Sequence, residues 1–192
     1  MLGRGTHGIG LTLVIDPNVQ SFEQTDSTLI PQLSWSGTQV NSSYKILIDK
    51  ELIAGKLFGA INVQFDQIWT ERPAIVNPQF RNDYVRNSNL TLSGALSYQL
   101  VDGLFVGAET RYVRTHNGIS LNTFTGDALY VGPTFFWQAS KSIAVMGAWG
   151  AQVAGDTKAI PGTILAPQLA SSKLNLATQN QHIAKVKIGI SF

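Results

Sequence analysis

The chain alternates. From Leu90 to Leu100 the even positions are Leu90, Leu92, Gly94, Leu96, Tyr98 and Leu100, and the odd ones are Thr91, Ser93, Ala95, Ser97 and Gln99. From Leu57 to Trp69 the odd positions carry Leu57, Gly59, Ile61, Val63, Phe65, Gln67 and Trp69. At the C-terminus His182, Ala184, Val186, Ile188, Ile190 and Phe192 alternate with Ile183, Lys185, Lys187, Gly189 and Ser191. A helix would scatter these apolar side chains around its surface, whereas a strand puts them on one face. Period two therefore predicts strands, over Thr6–Asp16, Ser42–Lys50, Lys56–Thr70, Asn89–Leu100, Leu104–Thr115, Ala128–Gln138, Ser142–Ala154 and His182–Phe192. Leu29–Ser36 alternates weakly around Pro31 and reads as loop or strand extension. Pro133 lacks an N–H inside a predicted strand, so a bulge or local break is expected there.

The connections sort into two kinds. Glu51–Gly55, Val101–Gly103 and Ala139–Lys141 are short, and Asp102-Gly103 is a tight-hairpin signal. Pro17–Asn41, Glu71–Ser88, His116–Asp127 and Gly155–Gln181 read as long polar loops. Short turns at one end and long loops at the other predict one all-β domain over residues 1–192, an antiparallel up-and-down barrel of about eight strands.

Alternation does not say which face points inward. A small soluble barrel buries its apolar face. Composition shifts the balance. Charged residues are 14% of the chain, against about 25% in ordinary soluble domains. No run of about 18 apolar residues exists, so no transmembrane helix can be drawn. A transmembrane strand needs only about 9–11 residues, with every second one apolar. The polar face is mostly Ser, Thr, Asn, Gln, Gly and Ala, with few charges: Lys45, Asp49, Asp66, Glu109, Arg111, Lys185 and Lys187. Trp69, Tyr98, Tyr112, Trp137 and Phe192 share the apolar face near strand ends, as in the aromatic girdles of membrane barrels. The same aromatics could instead fill a soluble core.

The final strand, with Val186, Ile188, Ile190 and a terminal Phe192, resembles the closing strand of bacterial outer-membrane β-barrel proteins. Glu51–Ala60 and Ala128–Thr134 look like uncharacterised porin-like proteobacterial barrels, to which no established activity attaches. The resemblance implies residence in the outer membrane, contact with its lipids, and recognition of the last strand by the barrel-assembly machinery. It carries over no catalytic residue.

Small residues on the inward parity, including Gly10, Ala95, Gly107, Gly132, Ala148 and Gly150, suit a tightly packed eight-stranded lumen or the wall of a ten- to twelve-stranded one. Met1–Gly5 lacks the features of a secretory signal, which favours the larger barrel with upstream strands. Candidate chemistry is sparse. There is no cysteine, and His7, His116 and His182 stand at no metal-ligand spacing. No Gly-x-Ser-x-Gly elbow is present, and Gly8-Ile9-Gly10 opens no helix. A net charge of +2 does not suggest nucleic acid. No cofactor or metal is indicated, and no enzyme. Glu109 and Arg111 are two apart on one strand and read first as a structural ion pair, second as a selectivity element. Four cations (Lys45, Arg111, Lys185, Lys187) against three carboxylates would give a slight anion preference. Three readings follow: a porin-like barrel passing small solutes or ions, a non-conducting barrel acting through its loops, and a soluble barrel holding an apolar ligand. A homo-oligomer is compatible with each.

Overall fold

A computed structural model describes residues 8–26, 33–76, 79–158, 173–176 and 179–190. All eight strands lie in one antiparallel sheet, each bonded to the next in chain order. They are β1 (Ile9–Asp26), β2 (Leu33–Ile53), β3 (Leu57–Val76), β4 (Gln79–Val101), β5 (Leu104–Asn117), β6 (Thr123–Gln138), β7 (Ile143–Thr157) and β8 (His182–Ile190). The architecture is the expected up-and-down one, curled into half a barrel. Among the described residues β1 and β8 share no ladder, so both edges are open.

The short turns fall where the sequence places them. Gly55 and Gly103 take positive φ, 66° and 77°, which only glycine adopts without strain. Two expected loops are instead strands. The β1–β2 ladder runs unbroken from Ile9↔Lys50 to Asp26↔Leu33, through residues read as loop. The β3–β4 ladder continues from Trp69↔Arg86 to Val76↔Gln79. Both hairpins are longer than their alternating stretches because the backbone can pair without a one-sided apolar pattern where water meets both faces. Pro17 is tolerated for a related reason. It pairs with Ser42 across one side only, since β1 is an edge strand. Part of the weak 29–36 segment joins β2, which starts at Leu33.

Register aligns the apolar residues into rows. One row is Leu11, Ile48, Ile61, Gly94, Thr110 and Val131; another is Leu13, Ile46, Val63, Leu92, Tyr112 and Leu129. Burial then decides which face lies inside the curl. Ile15 is 73% exposed and Val186 71%, whereas Ser43 is 5% and Asp66 8% exposed. Side chains on a concave face converge and shield one another, so the polar face is the inner one.

Pro133 interrupts β6 as expected. Pairing with β7 skips from Val131↔Ala151 to Thr134↔Ala148, while Ala108↔Pro133 keeps the ladder to β5. Gly132 fits the same defect, since a Cβ there would lie 1.7 Å from the Trp149 carbonyl oxygen. Gly132→Ala must therefore push β6 and β7 apart. The expected loss is about 1–3 kcal/mol of unfolding free energy in detergent, read by urea titration. An unchanged midpoint would contradict this packing.

Candidate functional site

The inner face is where chemistry-bearing side chains meet. Lys45 Nζ pairs with Asp16 Oδ2 at 3.3 Å. Asp66 accepts hydrogen bonds from the Ser43 hydroxyl and from Gln64 Nε2, the latter at 2.9 Å. Arg111 donates to Glu109 Oε1 through Nε at 3.0 Å and Nη2 at 2.7 Å. Both partners are about three-quarters covered, so neither charge is lost freely to water. Beside this pair is a cavity of about 20 Å³, room for one water, lined by Tyr130, Gly132, Ala148, Gly150 and Lys185 among others. The small residues of β6 and β7 make the hollow, and β5 and β8 supply its charges.

The structure places six of the predicted charges, Lys45, Asp66, Glu109, Arg111, Lys185 and Lys187, on that face, with Asp49 exposed beside Gly10. It also adds Asp16, which sequence reading left uncounted at a strand end. Among the residues whose side chains are described, the inner-face tally becomes four cations against four carboxylates, without the excess of cations from which the slight anion preference was expected. What remains is polarity across the interior. Asp16, Asp49 and Asp66 lie on β1–β3, and Lys185 and Lys187 on β8.

A second inner-face feature was not anticipated. Phe58, Phe105 and Phe136 meet edge to face beside the short turns, with centroids 5.5 Å and 5.9 Å apart. Their parity is polar in the sequence, so they read as exceptions to the pattern; the cross-strand pair Phe105↔Phe136 was the available signal.

On the outer face Tyr98 and Trp137 stand exposed near the short turns. Tyr112 sits at the far end of the apolar stretch, its hydroxyl donating to Asp127 Oδ2 at 2.8 Å. Trp69 lies further out, level with Val40 and Arg86 on the extended hairpins. Tyr44 and Phe65 stack at 6.5 Å near the level of Tyr112, and Trp149 stacks on His182 at 5.6 Å. Val186, Ile188 and Ile190 are exposed on this face; Phe192 lies outside the described residues.

Beyond Tyr112, His116 is 3% exposed and packs against Phe124. Arg114 covers the same ring at 4.6 Å. No group of His, Asp or Glu among the described residues could hold a metal ion. No helix among them is long and apolar enough to cross a membrane, which says nothing about strands.

The chain belongs to DUF6662, a family of unknown function, matched over residues 1–192. No curated protein and no solved structure matches it.

Burial, and then the neighbouring Arg114 charge, push the His116 imidazole below its ordinary value near 6.5. A depressed folded value favours the neutral ring, so its contribution to stability is complete above about 6.5 and declines as pH falls below it. The His116 ring-proton shift, followed by NMR in micelles, should show a midpoint below 6.5. A midpoint at or above that value would contradict the packing around Ser88, His116 and Phe124.

Proposed function

We propose that this member of a family of unknown function is the wall of an integral outer-membrane β-barrel that admits small polar solutes or ions along its inner face. The observation that carries the reading is the inverted distribution of side chains. Large apolar residues on all eight strands point outward and are exposed, while Ser43, Asp66, Ser93 and Gln152 are buried on the inner face. In water that outer face would be a continuous apolar patch of the kind that marks an interaction surface. In lipid it is the expected surface, and tilted strands cross with about 9–11 residues. The alternating outer residues from Leu104 to Tyr112, from Leu90 to Tyr98 and from Leu57 to Phe65 match that span.

The rest of the β1–β4 hairpins then projects beyond the bilayer on the side opposite the short turns. Tyr98 and Trp137 serve as the girdle at one interface, and Tyr112 with Tyr44 and Phe65 at the other. Val186, Ile188, Ile190 and Phe192 supply the assembly signal that the C-terminal resemblance implies. Open edges are not tolerated in lipid, so β1 and β8 must be paired in the membrane, with each other or with further strands.

A second reading has its own observation. The Phe58–Phe105–Phe136 cluster on the inner face favours a lumen filled at the short-turn end and a barrel that does not conduct.

Refolding into lipid vesicles separates the readings. The chain should float with the vesicles, run differently on a gel unheated than boiled, and allow isotonic small sugars to swell the vesicles. Vesicle-bound protein without swelling would select the filled barrel. A folded chain that stays in solution without detergent would overturn the membrane reading.

A further inference from the structure

The two edges of the sheet have no partner strand among the described residues, and they fit one another. β1 and β8 end an even run of antiparallel strands, so they point in opposite directions. Their outer faces match. Leu13 and Ile15 on β1 are 67% and 73% exposed, and Val186 and Ile188 on β8 are 71% and 62% exposed. Their inner faces are opposite in charge. β1 carries Asp16 and has Asp49 beside Gly10, whereas β8 carries Lys185 and Lys187. Both lysines are exposed, and neither forms an ion pair among the described residues.

The stagger of the sheet agrees with that match. The paired row that leaves β1 at Leu11 passes through Ile61, Thr110 and Ala151 and reaches β8 at His182. It starts beside Ile9, at the short-turn end of β1, and arrives at the far end of β8, so it climbs away from the short turns as it crosses the sheet. Placing Asp16 beside Lys185 continues the climb, because His182 then meets Val19. From Leu11 to Val19 the row has risen about eight residues over eight strands, which at about 3.3 Å per residue and 4.8 Å per strand is a tilt of about 35°. Membrane barrels tilt their strands by about 35–45°. Pro17, which has no N–H to give, then falls opposite Ala184, near the far end of β8.

We infer that these edges join two copies of the chain. β8 of each copy pairs antiparallel with β1 of the other about a two-fold axis, Asp16 against Lys185, and the two copies close one barrel of sixteen strands. The inference rests on the proposed membrane reading, in which no edge stays open. Curl and volume favour a second copy over closure of one chain. The eight strands bend through half a barrel, and their own edges share no ladder among the described residues. The inner row Gly10, Asp49, Ala60, Ala95, Glu109 and Gly132 is mostly glycine and alanine. An eight-stranded barrel is filled by its own side chains, and this row is too slight to fill one, whereas sixteen strands leave an aqueous channel that small residues can line. The two-fold axis repeats the same contact at both edges and leaves neither free.

The test places single cysteines on the outer face, since the chain has none of its own. In the inferred register Ile15 of one copy adjoins Val186 of the other. Chains carrying Ile15→Cys and chains carrying Val186→Cys are refolded together into lipid vesicles and treated with a short bismaleimide. Leu92→Cys on β4, mixed with Val186→Cys, gives the collision background. A boiled gel should show a product of two-chain mass well above that background, and the untreated protein extracted in mild detergent should have the mass of two chains. The chain that carries both Ile15→Cys and Val186→Cys tests the competing closure. If it cross-links only within itself, and the extracted protein has the mass of one chain, β1 and β8 close within one chain and the inference is overturned. Vesicle-bound protein of one-chain mass with no cross-link above background also overturns it and leaves the membrane reading standing. A folded chain that stays in solution without detergent overturns both.

Discussion

The ladder of backbone hydrogen bonds is the constraint on which the other features depend. Eight consecutive strands pair in sequence order, so the register of each hairpin passes to the next, and the outer and inner parities stay aligned from Ile9 to Ile190. A slip of one residue in any hairpin would exchange the faces of every later strand. Alignment makes the outer surface continuously apolar and the inner one polar. It also explains how Pro133 is absorbed. The missing N–H interrupts pairing to β7 alone, and Gly132 lets the two backbones approach at the defect.

With the faces fixed, the interior becomes a problem in electrostatics and volume. Its charges are paired or hydrogen-bonded where they are most covered, as at Glu109–Arg111 and Asp66, and more exposed where they are not, as at Asp49 and Lys187. That follows the cost of desolvating an uncompensated charge. Volume is managed at the two ends by different means. Phenylalanines meet near the short turns, and Asn175, between β7 and β8, fills the recess beside Gly126 and Gly155 and donates to the Asp127 carbonyl oxygen.

Much of the fold was legible because alternation is a one-dimensional signal. It predicted the eight strands, their order, the short turns and the break at Pro133. It failed where one-sidedness ends. Val19↔Val40 and Phe22↔Gly37 belong to a continuous ladder, yet the sequence around them shows no clean period, because neither face is confined to one solvent. The candidate site was less legible. Parity could put Glu109 and Arg111 on one face, but Asp16 joined the interior only once β1 was seen to pair with β2 beside Lys45. The buried place of Asn175 was out of reach, since it depends on glycines roughly twenty and fifty residues away in sequence that become neighbours only in the folded sheet.

The central claim is that the apolar face meets lipid and the polar face does not. The chain has no cysteine, so single cysteines can be placed along β5 and spin-labelled without background. In a bilayer, labels at Val106, Ala108 and Thr110 should collide readily with oxygen, which concentrates in lipid. Labels at Phe105, Glu109 and Arg111 should instead report contact with a water-soluble nickel complex or with packed protein. Oxygen accessibility of period two in that phase is the predicted result. The opposite phase, or no periodicity, would contradict the account.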